Sequence, residues 1–105
     1  MEETPLDEIV KTSFEKPVTL FKHSTRCSIS RFALKQFEKE YNIETVKMEL
    51  YFLDLLEHRS ISNEVTERFG VMHQSPQIIV IKDGKAIYHA SHSDIQAEDL
   101  NQFVL

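Results

Sequence analysis

One stretch constrains this chain more than any other: Phe21-Lys22-His23-Ser24-Thr25-Arg26-Cys27-Ser28-Ile29-Ser30. The apolar run Pro17-Val18-Thr19-Leu20-Phe21 predicts a strand, and a helical pattern starts directly after Cys27, the one cysteine of the chain. A strand, a polar turn and a helix start therefore meet at a thiol. The unsatisfied N–H groups and the positive dipole end of a helix favour the thiolate, the form that attacks disulfides and electrophiles. The stretch reads as a one-cysteine redox site, set against the plainer reading of an inert, buried, small apolar side chain.

The rest of the chain must supply a fold that holds this junction. Thr4-Pro5 followed by Asp7 and Glu8 matches a helix start, and Leu6, Ile9, Val10 and Phe14 fall at helical spacing before Pro17. The strand is expected over Val18 to Phe21. After Cys27 the residues Ile29, Ala33, Phe37 and Tyr41 recur every four positions, with Phe32 and Leu34 widening the apolar stripe. A second strand is centred on Leu50 to Asp54. Ser60 or Ser62 is expected to cap a helix carrying Val65 and Phe69, with Gly70 ending it. Ile78-Ile79-Val80-Ile81 and Ala86-Ile87-Tyr88-His89 read as a hairpin whose Asp83-Gly84 supplies the positive φ angles of a tight turn. Ser93 and Gln96 match a capping box and predict a last helix bearing Ile95, Leu100 and Phe103. The order helix, strand, helix, strand, helix, strand, strand, helix implies an α/β domain with a mixed four-stranded sheet, two of its strands parallel.

Size and charge narrow the function classes. The 105 residues, 41% apolar, suffice for a single domain over residues 1–105 with one core. Twelve basic against seventeen acidic residues leave a net charge of -5 with the signs interspersed, which argues against nucleic acid as a partner. The apolar runs are too short for a membrane span, and the acidic N-terminus does not resemble a signal peptide. One cysteine allows no internal disulfide, so a reducing cytoplasm is the expected location. His23, His58, His73, His89 and His92 lack a compact ligand spacing with cysteine, so no metal site is expected.

Cys27 after the first strand, Ser75-Pro76 before the hairpin and the Asp83-Gly84 turn resemble the active-site loop, cis-proline loop and hairpin of the thioredoxin superfamily. Within it the chain resembles the YtxJ-type monothiol bacilliredoxins. The matching stretches are Phe21-Lys22-His23-Ser24-Thr25, Cys27 with Ile29-Ser30, Leu53-Asp54-Leu55, Arg59 with Ile61-Ser62, Val71 with His73, Ser75-Pro76-Gln77, and Ala90-Ser91-His92 with Ile95. That family commonly reads Thr-Cys-Pro-Ile-Ser at the site, where this chain has Arg26-Cys27-Ser28-Ile29-Ser30.

The resemblance implies a thioredoxin-like fold and a thiol-disulfide oxidoreductase that removes bacillithiol from protein mixed disulfides through Cys27. Its partners would be bacillithiolated proteins, with bacillithiol itself as thiol co-substrate, or a partner reductase, recycling Cys27; no bound cofactor is implied. The superfamily also implies a cis Pro76 and a Ser75 backbone that pairs with substrate. Arg26 and Thr25 join Ser75 and Pro76 as substrate-binding candidates, Arg26 as a partner for the thiolate or for the malate carboxylates of bacillithiol. Ser24, Thr25, Ser28 and Ser30 are candidates for helix capping or for a hydrogen bond to the thiolate. Asp54, at a strand end, is left out of the catalytic set. Two other readings stay open: a thioredoxin-fold adaptor without turnover, and a transferase using another low-molecular-weight thiol.

Tuning the thiol has limited leverage. A cysteine at the reference pKa of about 8.5 is ~3% thiolate at pH 7, and a fall to about 6.5 raises that roughly 25-fold. A Brønsted slope near 0.4–0.5 returns roughly 6- to 10-fold of it. Substrate positioning must therefore supply most of the specificity.

Overall fold

The computed structural model describes residues 5–24, 28–55 and 58–104. The sheet is organised around β1 (Val18–His23), which pairs in parallel with β2 (Glu49–Asp54) and antiparallel with β3 (Gln77–Lys82); β4 (Lys85–Ser91) completes the order β2-β1-β3-β4. The first strand runs two residues beyond the expected Phe21. Helices α1 (Pro5–Ser13), α2 (Ser28–Glu40) and α3 (Arg59–Phe69) cover the two faces.

Alternation along β1 divides the core. Val18 and Leu20 pack with Leu53, Ile79 and Ile81 against Leu6 and Ile9 of α1, Val65 of α3 and Val71. Phe21 packs on the other face with Ile78, Val80, Ala90, Met48 and Leu100 against Phe37 of α2. The Phe21 and Phe37 rings meet at 4.9 Å, and Tyr41 stacks on Phe37 at 5.4 Å. Because β1 has a strand on each side and helices over both faces, all six of its residues are buried, Lys22 included.

Several local readings hold and others give way to tertiary context. Asp83 (φ 53°) and Gly84 (φ 77°) both take positive φ in the hairpin turn, and Gly70 (φ 67°) ends α3 with its N–H on the Thr66 carbonyl. The turn is tied to α1: the Asp83 N–H donates to the Ser13 carbonyl and the Gly84 N–H to Ser13 Oγ, at 2.8 and 2.9 Å. Neither Ser60 nor Ser62 caps α3. The cap position is His58, with no side-chain cap bond, and both serines lie inside the first turn. The helix expected after Ser93 is instead two 3-10 helices, His92–Asp94 and Ala97–Phe103. Ser93 sits within the first and Gln96 precedes the second without a side-chain cap bond, so the capping box is not made. Ala97 and Leu100 are nevertheless buried, so the segment still covers the sheet. The expected hydroxyl cap at Thr4 lies outside the described residues.

The stripe predicted for α2 also divides. Phe37 is buried, but Ile29 and Phe32 are 68% and 72% exposed. The buried side of the helix runs through Ser30, Leu34 and Phe37, and Ile29 and Phe32 lie off it.

Candidate functional site

The parallel strands β1 and β2 both finish at the end of the sheet where α2 and α3 start, and antiparallel β3 begins there after Pro76. Topology thus gathers three segments at one edge: the turn from β1 into α2, the start of α3, and the loop before β3. In open α/β sheets the crevice beyond the carboxyl ends of strands is the usual place for a site.

Of the sequence-derived site residues, Thr25, Arg26 and Cys27 lie outside the described residues. The segments on either side are placed. Ser24 follows β1, and its N–H donates to Ser30 Oγ at 2.9 Å, tying the entrance of the turn to the first turn of α2; Ser30 is fully buried. Helix α2 starts at Ser28, the residue after Cys27 in sequence, and carries no acid in its first turn. Its unpaired N–H groups and dipole favour an anion at this end, and no acid of its own first turn opposes them.

Ser75 and Pro76 lie at this edge, in the loop before β3. The Ser75–Pro76 peptide bond is cis. The Pro76 carbonyl accepts from the His92 N–H at 3.0 Å, with His92 itself at φ 53°. Among the described residues, neither the N–H nor the carbonyl of Ser75 has a backbone partner, which leaves both for an extended substrate segment. Pro76 forms one wall of a groove of about 430 Å³, with Ile29, Phe32 and Gln36 of α2 on one side and His92 and Ile95 on the other. The exposed Ile29 and Phe32 give this groove part of its apolar lining, beside the polar Gln36, Glu40, Ser93 and Gln96. A wider depression of about 560 Å³ is lined, among the described residues, by α2 alone.

A second cluster lies beneath the same edge, and the sequence reading did not single it out as a unit. Lys22 Nζ, fully buried, lies 3.4 Å from His73 Nδ1, and Ser62 Oγ lies 3.5 Å from the same nitrogen. Burial lowers the Lys22 pKa from 10.5 to about 8. His73 is held below its ordinary value by desolvation, then by the charges of Lys22 and Arg59. A cation inside the otherwise apolar run Val18-Thr19-Leu20-Phe21-Lys22 was the available signal. Its pairing with a residue fifty-one positions away was not. Asp54 ends β2, and alternation with the core residue Leu53 puts it on the opposite face of the sheet from Lys22.

Likeness to known proteins bears on the family and the fold. The family model of the monothiol bacilliredoxin BrxC matches residues 1–100. A solved structure described as having a thioredoxin fold is similar at TM-score 0.76 and 29% identity, over 92% of this chain and 83% of its own. Thioredoxin from Malassezia sympodialis matches at TM-score 0.69 and 20% identity, over 92% of this chain and 77% of that one. Thioredoxin f from spinach chloroplast matches at TM-score 0.68 and 17% identity, over 97% and 85%; at these identities the last two speak for the fold alone. With a match over nearly its whole length and a mixed β2-β1-β3-β4 sheet carrying a cis-proline loop, the chain belongs to the monothiol bacilliredoxin family, on a thioredoxin-like fold.

Proposed function

We propose that the protein removes bacillithiol from proteins that carry it as a mixed disulfide, with Cys27 as nucleophile. The family match over residues 1–100 carries this reading. It is supported by the position of Cys27 in sequence, directly before α2, whose start lies at the edge that also holds the Ser75-Pro76 loop and the groove beside it.

The chemistry is two thiol–disulfide exchanges. The Cys27 thiolate attacks the bacillithiol sulfur, the sulfur–sulfur bond of the mixed disulfide breaks, and the target protein leaves as a thiolate. Cys27 then carries bacillithiol. The chain has one cysteine, and Ser30 cannot form a disulfide, so discharge requires an outside thiolate. With bacillithiol as that thiol, its thiolate attacks the captured sulfur, Cys27 returns as thiolate, and bacillithiol disulfide is released. Arg26 and Thr25 are assigned to the substrate beside Cys27, and Ser75 pairs through its backbone with the target segment seated against Pro76.

The test is a time course by non-reducing mass spectrometry after mixing stoichiometric reduced protein with a bacillithiolated target. The expected result is one bacillithiol adduct per chain at Cys27, stable until free bacillithiol is added, and no exchange by Cys27→Ser. Release of the target with the protein unmodified and monomeric would overturn the mechanism. A Cys27 that is slow toward every disulfide would favour an adaptor.

A further inference from the structure

A small recess of about 40 Å³ opens at the start of α3, lined by Leu55, Arg59, Ser62, Asn63 and His73. A water needs roughly 10–15 Å³, so the recess has room for a water or two or for a carboxylate head, and for little more. Among the described residues, none that lines it is acidic.

What sits behind it is unusual for a soluble protein. Lys22 is fully buried, and among the described residues its polar partner is His73, with no carboxylate paired to it. Buried ammonium groups are ordinarily matched by an anion, because desolvation of a lone charge is costly. The donors here are arranged to receive one. The Lys22 ammonium donates to His73 Nδ1, so the neutral imidazole carries its hydrogen on Nε2. Ser62 is 2% exposed and Arg59 stands at the rim, on the first turn of a helix of eleven residues. Gln77 holds the loop that carries His73: its Nε2 donates to the Met72 carbonyl at 3.1 Å, and its Oε1 accepts from the Gln74 N–H at 3.4 Å.

We infer that this recess is a carboxylate subsite, in which Arg59, Ser62, Asn63 and His73 hold an acid group of the small thiol half of the mixed disulfide, with Lys22 as buried counter-charge. The inference rests on the thiol exchange proposed above. The location suits it, since the recess lies at the same sheet edge as the turn into α2. Charge suits it as well: a chain of net charge -5 repels an anionic thiol, and this recess is a positive place for one to dock.

Two measurements test it. In the first, the isotope-labelled full chain is titrated with succinate at constant ionic strength and followed by amide NMR. Saturable shifts at Ser62, Asn63 and His73 are expected. Arg59→Gln should weaken them about fivefold, the range for one rim ion pair with its hydrogen bond. Lys22→Met should weaken them further, and Lys35→Gln on α2 should leave them unchanged. Shifts that do not saturate, or that ignore Arg59→Gln, overturn the subsite.

In the second, a Cys27 mixed disulfide is discharged by mercaptosuccinate and by mercaptoethanol, each rate normalised to the same thiol acting on a free small disulfide. Arg59→Gln should lower the normalised rate for mercaptosuccinate about fivefold and leave that for mercaptoethanol unchanged. Equal effects on both thiols overturn the inference while the thiol exchange stands. Discharge by neither thiol refutes the exchange itself, and the succinate titration still reads the recess on its own.

Discussion

Replacing Lys22 with Met should make the protein more stable at neutral pH and less distinguishable from the native chain in alkali. Folding takes the Lys22 amine from an ordinary pKa of 10.5 to about 8 through burial. At 1.36 kcal/mol per pKa unit, that difference is about 3.4 kcal/mol. The direction follows from proton binding. Below pH 8 both states hold the proton, and the folded state bears the full desolvation cost of the ammonium. Between about pH 8 and 10.5 the unfolded chain keeps a proton that the folded chain has released, so stability rises with pH in that window and the penalty disappears above it. Met is unbranched, of similar reach, and carries no charge. At pH 7 the Lys22→Met variant should therefore be more stable by about 2 kcal/mol, once about 1 kcal/mol is subtracted for the lost bond to His73. Tyr41 and Tyr88 act with the opposite sign at the alkaline end, since burial raises both phenol pKa values and the unfolded chain ionises them first. The quantity to follow is accordingly the difference between the two proteins, read from urea unfolding at steps from about pH 7 to pH 10.5. It should shrink to within about 1 kcal/mol across the window. A difference that is flat with pH, or a Met variant less stable at pH 7, would refute the argument that Lys22 is held buried at the expense of stability.

The two glycines separate strain from space. Gly84→Ala faces both φ 77° and a contact 3.2 Å from Phe14 Cζ, while Gly70→Ala has φ 67° and open space, so thermal unfolding should show about 1 kcal/mol lost at Gly70 and more at Gly84. Phe37→Ala should cost about 3–5 kcal/mol in denaturant unfolding, since its ring fills the core against Phe21. Phe32→Ala, 72% exposed on the groove, should stay within about 0.5 kcal/mol in stability while slowing release of a bacillithiolated protein target; unchanged kinetics would remove Phe32 from the docking surface.

Much of the fold was legible locally because short-range patterns carried it. The run Val18 to Phe21, the Asp83-Gly84 turn and Gly70 each declare their backbone state through side-chain type, and each takes that state in the folded chain. The order of elements then left few ways to pair the strands, and the parallel β1–β2 pair follows from the helix between them. Cys27 stood out as a lone thiol before a helical pattern, while Ser75-Pro76 was singled out through the family resemblance and its peptide bond is cis in the folded chain. The failures came where neighbours decide. A capping box at Ser93 and Gln96 is a local preference worth about a kilocalorie, and burying Ala97 and Leu100 against the sheet outweighs it. Periodicity put Ile29 and Phe32 in the core stripe, but the buried side of α2 runs through Ser30, Leu34 and Phe37, so those two side chains line a groove instead. Lys22 is the sharpest case. A lysine at a strand end reads as solvated, and only the pairing of β1 between β2 and β3, with α3 closing over that face and His73 arriving from the loop before β3, removes its water and gives it a partner. No window of consecutive residues contains that arrangement, because burial of a charge belongs to the assembled layers and not to the segment that carries it.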